Sequence, residues 1–254
     1  MKQIKYENGD KYAGEILNGT RHGKGAYIYT SGSKYQGFWK DGKKHGKGIF
    51  SYANGDIYKG TWQHDEKHGK GQYLYKNGSS YDGEWKNGVP HGEGVYRFVV
   101  GDIYGGDWAN GLPHGKGRYL YSNGNRYEGG WKEGSKHGEG AHYYVHGDKY
   151  DGTWQGDKRH GRGTLYYSTG GGYEGHWHED KRHGRGSYQG GGKSENYVGD
   201  WQNNKKHGKG KLFYSNGNMY EGFWKNDKMD GRGTYHFADG KQEAREYEND
   251  IRKK

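Results

Sequence analysis

Cysteine is absent, so disulfides, thiolate nucleophiles and cysteine-built zinc sites are excluded, and a reducing compartment fits. Proline occurs only twice in 254 residues, at Pro90 and Pro113. Aliphatic residues are scarce as well. The hydrophobic fraction is 28% with rings included, so a conventional core of leucine, isoleucine and valine is unavailable. No stretch approaches the roughly 18 apolar residues of a membrane-spanning helix. The opening "MKQIKYENGD" also lacks the apolar centre of a secretion signal. A soluble, intracellular chain is therefore expected. Low aliphatic content ordinarily marks disorder, but 27 Tyr and 9 Trp contradict that reading, and the core must be built from rings.

Glycine, by contrast, is abundant, with 53 residues, and the formal charge is +10. The glycines are ordered by a repeat. Tyr-x-Gly-x-Trp starts at Tyr35, Tyr58, Tyr81, Tyr104, Tyr127, Tyr150, Tyr173, Tyr197 and Tyr220, and Tyr12 begins the series with Ile16 in the Trp place. The spacing is 23 residues except for 24 between Tyr173 and Tyr197, and every tryptophan occupies the same slot. Six residues beyond it comes His-Gly-x-Gly, from His22 to His207, with Asp230 replacing His in the tenth copy. In "KYQGFW" (34–39) Tyr35, Gly37 and Trp39 alternate with Lys34, Gln36 and Phe38, and in "GKGQYLY" (69–75) Gly69, Gly71, Tyr73 and Tyr75 share one face, the period-two pattern of strands. Pairs such as Asn8-Gly9, Asn54-Gly55 and Asn77-Gly78 separate the repeats and supply turns with positive φ. Each period is thus a hairpin. Ten in series predict an all-β fold: an elongated single-layer antiparallel meander, a twisted rod about 95 Å long at about 4.8 Å per strand. Rings lying over strand glycines would cover the bare backbone.

The strings "YDGEWKNGVPHGEG" (81–94) and "YEGFWKNDKMDGRG" (220–233) resemble the MORN repeat, the membrane occupation and recognition nexus motif. The resemblance covers residues 1–240 as one continuous array of ten repeats. It implies the hairpin fold and, for function, two kinds of relative: scaffolds, and enzymes whose separate catalytic domain follows the repeats. Only the charged tail 241–254 follows here, so the scaffold reading is preferred. Its composition suits a short helix capping the final strand. Among the family's scaffolds the all-repeat pattern is most like ciliary members such as radial spoke head proteins. That implies a structural role among protein partners in a cytoskeletal assembly, with the cytoplasm, cytoskeleton and ciliary axoneme as the location.

Departures from the repeat suggest working surfaces. The residue before His is usually basic, as at Lys44, Lys67, Lys136, Arg159, Arg182 and Lys206, and the slot after His-Gly is basic in eight of ten repeats. Together they predict a basic ridge for an acidic protein partner or anionic lipid. A peripheral membrane module on anionic phospholipid is the alternative function. Repeats four and five interrupt the ridge with an apolar window at Val89, Val99, Val100, Ile103 and Leu112, a predicted protein-docking site. The extra residue near 189–196, after Gly190–Gly192, predicts a bulged and looser connection. Free sheet edges leave room for a homodimer.

Other chemistry is not expected. Equivalent histidines about 9.6 Å apart, two strand spacings, cannot share one zinc ion, so they are read as hydrogen-bonding turn residues. "GKG" lies between strands and lacks the phosphate-loop spacing. Every acid and histidine recurs with the period, whereas catalysis needs a singular arrangement. No enzyme, cofactor or metal, and no specific nucleic acid, is expected.

Overall fold

The computed structural model describes residues 2–192 and 194–254. Among the described residues all regular elements are strands, and no helix is long and apolar enough to cross a membrane. Twenty-three strands, β1 (Lys2–Lys5) to β23 (Ile251–Arg252), make one antiparallel sheet. One period contains a seven-residue strand carrying Tyr-x-Gly-x-Trp, such as β4 (Lys34–Lys40), and a nine-residue strand carrying His-Gly-x-Gly, such as β5 (Lys43–Ser51). They alternate as hairpins, as the sequence pattern predicts.

Two turn chemistries join them. Within a hairpin, Asp41 and Gly42 both take positive φ, 49° and 78°, the mirror-image turn that suits strand twist. Between hairpins only the glycine does so: Gly55 at 97° closes a turn in which its N–H donates to Tyr52. Asn54, outside the positive-φ region, accepts from the Asp56 N–H at 3.0 Å instead.

The second repeat shows why three glycines recur. Gly37 and Gly48 face each other across β4 and β5, and the Tyr35 ring lies over both. A Cβ at Gly48 would collide with the Tyr35 hydroxyl and ring edge. Gly46 sits at φ 60° where the register shifts after Gly37, leaving Gly46 and Lys47 outside the pairing of this hairpin. Tyr35 then donates to the carbonyl of Phe38 at 2.9 Å, and Trp39 Nε1 donates back to Gly25 at 3.2 Å. The rings meet edge to face, Tyr35 with Trp39 at 5.0 Å and with the next repeat's Trp62 at 5.5 Å. From Tyr12 to Tyr220 the ten equivalent tyrosines are the largest fully buried side chains.

The chain divides into two compact units: one up to Ser122 with Trp131–Gly134, the other Asn123–Gly130 with Ser135–Lys254. The first carries the apolar pair Ile57 and Leu74, opposite each other on the face away from the rings. The second has Lys149 opposite Tyr166 at the same register position.

Two expectations are corrected. The tail is not a helix: β22 (Gln242–Glu248) pairs with β21 (Lys228–His236), placing Tyr247 opposite Gly231 in the Trp slot. Glu243, Arg245 and Tyr247 alternate with Gln242, Ala244 and Glu246, and the available partner strand outweighs helical composition. Arg245 occupies a glycine place, 4.1 Å from the Tyr235 ring centroid, and pairs with Glu243 at 2.9 Å. Nor does the extra residue near 189–196 bulge a strand. β17 (Lys181–Gln189) and β18 (Asn196–Gln202) keep register from Gly184–Trp201 to Gln189–Asn196, so the insertion lengthens the turn. The Gly190 N–H is held by the Asn196 side chain at 3.0 Å. Lys193, within that span, lies outside the described residues.

Candidate functional site: a basic-banked groove in the second unit

The basic residues separate into two sets on opposite faces. Those before His pair across the hairpin with Trp, as Lys44 does with Trp39, and therefore share the ring face. Each reaches forward over the tryptophan of the next repeat: Lys44 over Trp62 at 4.6 Å, Lys67 over Trp85 at 4.2 Å and Lys136 over Trp154 at 4.6 Å. Arg159, Arg182 and Lys206 do the same over Trp177, Trp201 and Trp224 at 4.2–4.4 Å. The Lys44 and Arg159 side chains are only 13% and 19% exposed. Burial pushes the ammonium groups of Lys44, Lys136 and Lys206 below the usual lysine range. These cations cover the rings. The six cations expected to form a lipid-facing ridge are thus half-buried on the ring face and engaged by the aromatic faces beneath them.

The apolar window is also divided. Val89 begins the nine-residue strand β9 (Val89–Arg97), whereas Val99 and Val100 lie in the turn beyond its other end, about 25 Å away at the usual rise. Leu112 starts β11 (Leu112–Leu120) near Val89, while Ile103 starts β10 (Ile103–Ala109) near the valine turn. Val89, Val99, Val100 and Leu112 are exposed, but the hairpin places them at opposite sheet margins. They form no single patch.

The slot after His-Gly behaves differently. Arg162, Arg185, Lys209 and Arg232 face away from the rings and stand along a groove of about 1110 Å³ in the second unit. Eight glycines line it, from Gly152 to Gly233, arranged as consecutive cross-strand pairs such as Gly163–Gly175 and Gly199–Gly210. Its ground is bare peptide, because the tyrosine rings occupy the other side of those same glycines. Arg162 is paired with His176, Arg185 with Asp200, Lys209 with Phe223, and Arg232 with Glu246. On the far side of the glycines stand Asp151, Glu174 and Glu221 together with Lys211, which pairs with Glu221 at 3.0 Å, while Lys149 pairs with Asp151 at 2.7 Å. The groove therefore has a basic bank and one of mixed charge.

The basic bank is loosely engaged. The Arg185 and Arg232 side chains are 86% and 89% exposed, and their carboxylates, on Asp200 and Glu246, are 3.6 and 3.7 Å away. Exposed pairs of this length contribute little to stability and exchange readily for a partner's carboxylate. The sequence carried this signal in the slot that is basic in eight of ten repeats. The two basic slots are three residues apart, an odd number, so strand alternation sets them on opposite faces and one ridge cannot hold both.

Three repeat histidines depart from the hydrogen-bonding role expected of them: Nδ1 of His22, His183 and His207 is buried without a hydrogen-bond partner. His160 and His178 approach to 5.1 Å between ring centroids, and His178 and His183 to 5.7 Å. Among the described residues no group of three or more His, Asp or Glu is placed to hold a metal ion.

A hairpin meander with Tyr-x-Gly-x-Trp and His-Gly-x-Gly in phase defines a repeat protein whose rings are occupied by folding. The family profile described as MORN repeat matches residues 12–34, 35–57, 58–80, 81–103, 104–126, 127–149, 150–172, 173–193, 197–219 and 220–242. The chain belongs to the MORN-repeat family. A search of curated proteins returned no match. Among solved structures it is similar to the TCP10 domain of Danio rerio CPAP in complex with a peptide of STIL, at 12% identity and TM-score 0.42, covering 93% of this chain and 99% of that one. It is also similar to the Drosophila melanogaster SAS-4 (dCPAP) TCP domain in complex with a proline-rich motif of Ana2, at 15% identity and TM-score 0.39, covering 70% and 90%. At such scores these likenesses define neither partner nor activity for this chain.

Proposed function

We propose that this protein is a non-catalytic scaffold that holds other proteins in a cytoskeletal assembly, with a partner segment lying in the groove of the second unit. The observation that carries the reading is the row of paired glycines flanked by a basic bank and by a bank of mixed charge. A polypeptide approaches bare peptide closely and offers acids to the first bank and groups of both signs to the second, so register as well as affinity is specified. A lipid surface presents one sign of charge over a plane and has no use for the carboxylates of the mixed bank. The periodic placement of the His-Gly-x-Gly histidines supports the absence of catalysis, which requires a singular, preorganised set. The family resemblance to ciliary members favours the axoneme, near radial spoke heads, as the location.

The test places a photo-crosslinking residue at Val198, which lines the groove, and compares it with the combined charge reversal Arg162→Glu, Arg185→Glu and Arg232→Glu. The scaffold reading expects a protein adduct that disappears on reversal while the melting temperature holds. Flotation on anionic vesicles is run alongside. Vesicle binding with no groove adduct overturns the reading in favour of a membrane module, and an adduct insensitive to reversal removes the groove from it. Retention of a tagged chain in detergent-extracted axonemes tests the location separately.

A further inference from the structure

Lys67 differs from the other lysines that cover the rings. Its Nζ lies 4.2 Å from the centroid of Trp85, 4.7 Å from Tyr73 and 5.7 Å from Tyr58. Those rings come from β8 (Ser80–Lys86), the strand bearing Lys67, β7 (Glu66–Leu74), and β6 (Ile57–Gln63). Every other lysine of this set has an aspartate in the turn ahead, which accepts its backbone N–H: Asp65 for Lys44, Asp157 for Lys136 and Asp227 for Lys206, at 2.7–2.9 Å. Their carboxylates also favour the charged amine. The turn ahead of Lys67 is Asn87-Gly88, and Gly88 brings no carboxylate. A Cβ built at Gly88 would meet nothing within 4 Å, so the place that Asp65 fills for Lys44 stands open beside Lys67. Burial pushes its amine down to about 8. The side chain is half-buried and within reach of a small reagent.

An amine held among rings without a counter-charge is the setting in which lysine becomes a nucleophile. We propose that Lys67 is a covalent modification site that accepts an acyl group from an activated donor of the thioester class. The amine lone pair attacks the acyl carbon, the N–C bond forms, the C–S bond breaks with departure of the thiolate, and the surplus amine proton passes to water. The product is a neutral amide that removes the cation from above Trp85. This inference concerns the first unit and is independent of the groove.

The experiment treats the full chain with a limiting small-molecule acetyl thioester and follows acetylation of each lysine by peptide mass spectrometry. At neutral pH, Lys67 is expected to react about tenfold faster than Lys44, Lys136 and Lys206, with its rate half-maximal near pH 8. Gly88→Asp installs the carboxylate seen at the equivalent position of Asp65 and should slow Lys67 to the rate of Lys44. The reciprocal Asp65→Gly should accelerate Lys44, which keeps the test decisive if the first variant folds poorly. Equal rates at all four lysines, or a Lys44 rate indifferent to Asp65→Gly, would overturn the proposal.

Discussion

At the scale of single residues, each recurring glycine has its own steric reason, and the reasons predict different costs. Gly48→Ala drives a methyl into the Tyr35 ring, which is pinned by its bond to Phe38 and by Trp39. Overpacking a site that cannot yield costs about 1–3 kcal/mol. Gly46→Ala has room, its nearest neighbour being Phe38 Cβ at 3.4 Å, but must hold φ 60°, a strain of about 1–2 kcal/mol. Denaturant titration of both variants should show Gly48→Ala destabilised, with Gly48→Ala in combination with Tyr35→Leu partly recovering; Gly46→Ala should gain nothing from Tyr35→Leu. His142 is a second residue-scale case. It stands in a slot that holds Tyr27, Tyr73 and Tyr119 elsewhere, is buried against Tyr144 and Trp154, and has its pKa lowered to about 4, by burial first and then by Lys136 and Arg159. Because the unfolded chain takes up this proton near 6.5 and the folded chain near 4, the contribution is present above 6.5 and lost as pH falls through that interval. His142→Tyr should remove that segment of the acid-stability curve, read as melting temperature against pH.

At the scale of the hairpin, the pre-His slot and the turn ahead of it act as one unit. Where the turn's second residue is Asp or Asn, its side chain accepts the slot's backbone N–H, as with Lys44–Asp65, Arg159–Asp180 and Arg182–Asn204. Where it is glycine, there is no such acceptor, and two of those slots hold the chain's only prolines: Pro90 ahead of Gly111 and Pro113 ahead of Gly134. Proline has no N–H to satisfy. The pairing predicts epistasis. Pro90→Lys alone leaves an N–H without a side-chain acceptor, and Gly111→Asp alone adds an acid with nothing to receive, so the double variant should exceed the sum by about 1 kcal/mol in a denaturation cycle. This coupling was not readable from sequence, since it joins residues 21 apart whose proximity depends on the stacking of adjacent turns. The strands themselves were readable, because alternation of Tyr, Gly and Trp admits one register. The apolar window was misread for a related reason: Val89 and Val99 are near in sequence, and nine residues of strand carry them to opposite margins.

At the scale of the whole molecule, a core made of tyrosine has a consequence that an aliphatic core lacks. Burial raises the phenol groups of the repeated tyrosines above their ordinary range, with Tyr220 pushed up to about 12 and Tyr35, Tyr58, Tyr81, Tyr104 and Tyr150 moved in the same direction for the same reason. In the unfolded chain these groups ionise near 10. Above that pH the folded state binds more protons than the unfolded one, so stability is complete below 10 and is lost as pH rises toward and through the folded values. The lysines over the rings act in the opposite sense: Lys67, near 8 when folded and 10.5 when unfolded, adds stability as pH climbs through that interval. A stability maximum at mildly alkaline pH, followed by a steep fall above 10, is the expected profile. Because one tyrosine per repeat shares the same burial, ionisation and loss of strand signal should coincide in a single alkaline transition, followed by tyrosinate absorbance and circular dichroism on the same sample. Gradual, separate titration of the phenols with the sheet intact would show that the rings are open to solvent, and would remove the physical basis for a sheet held together by tyrosine over glycine.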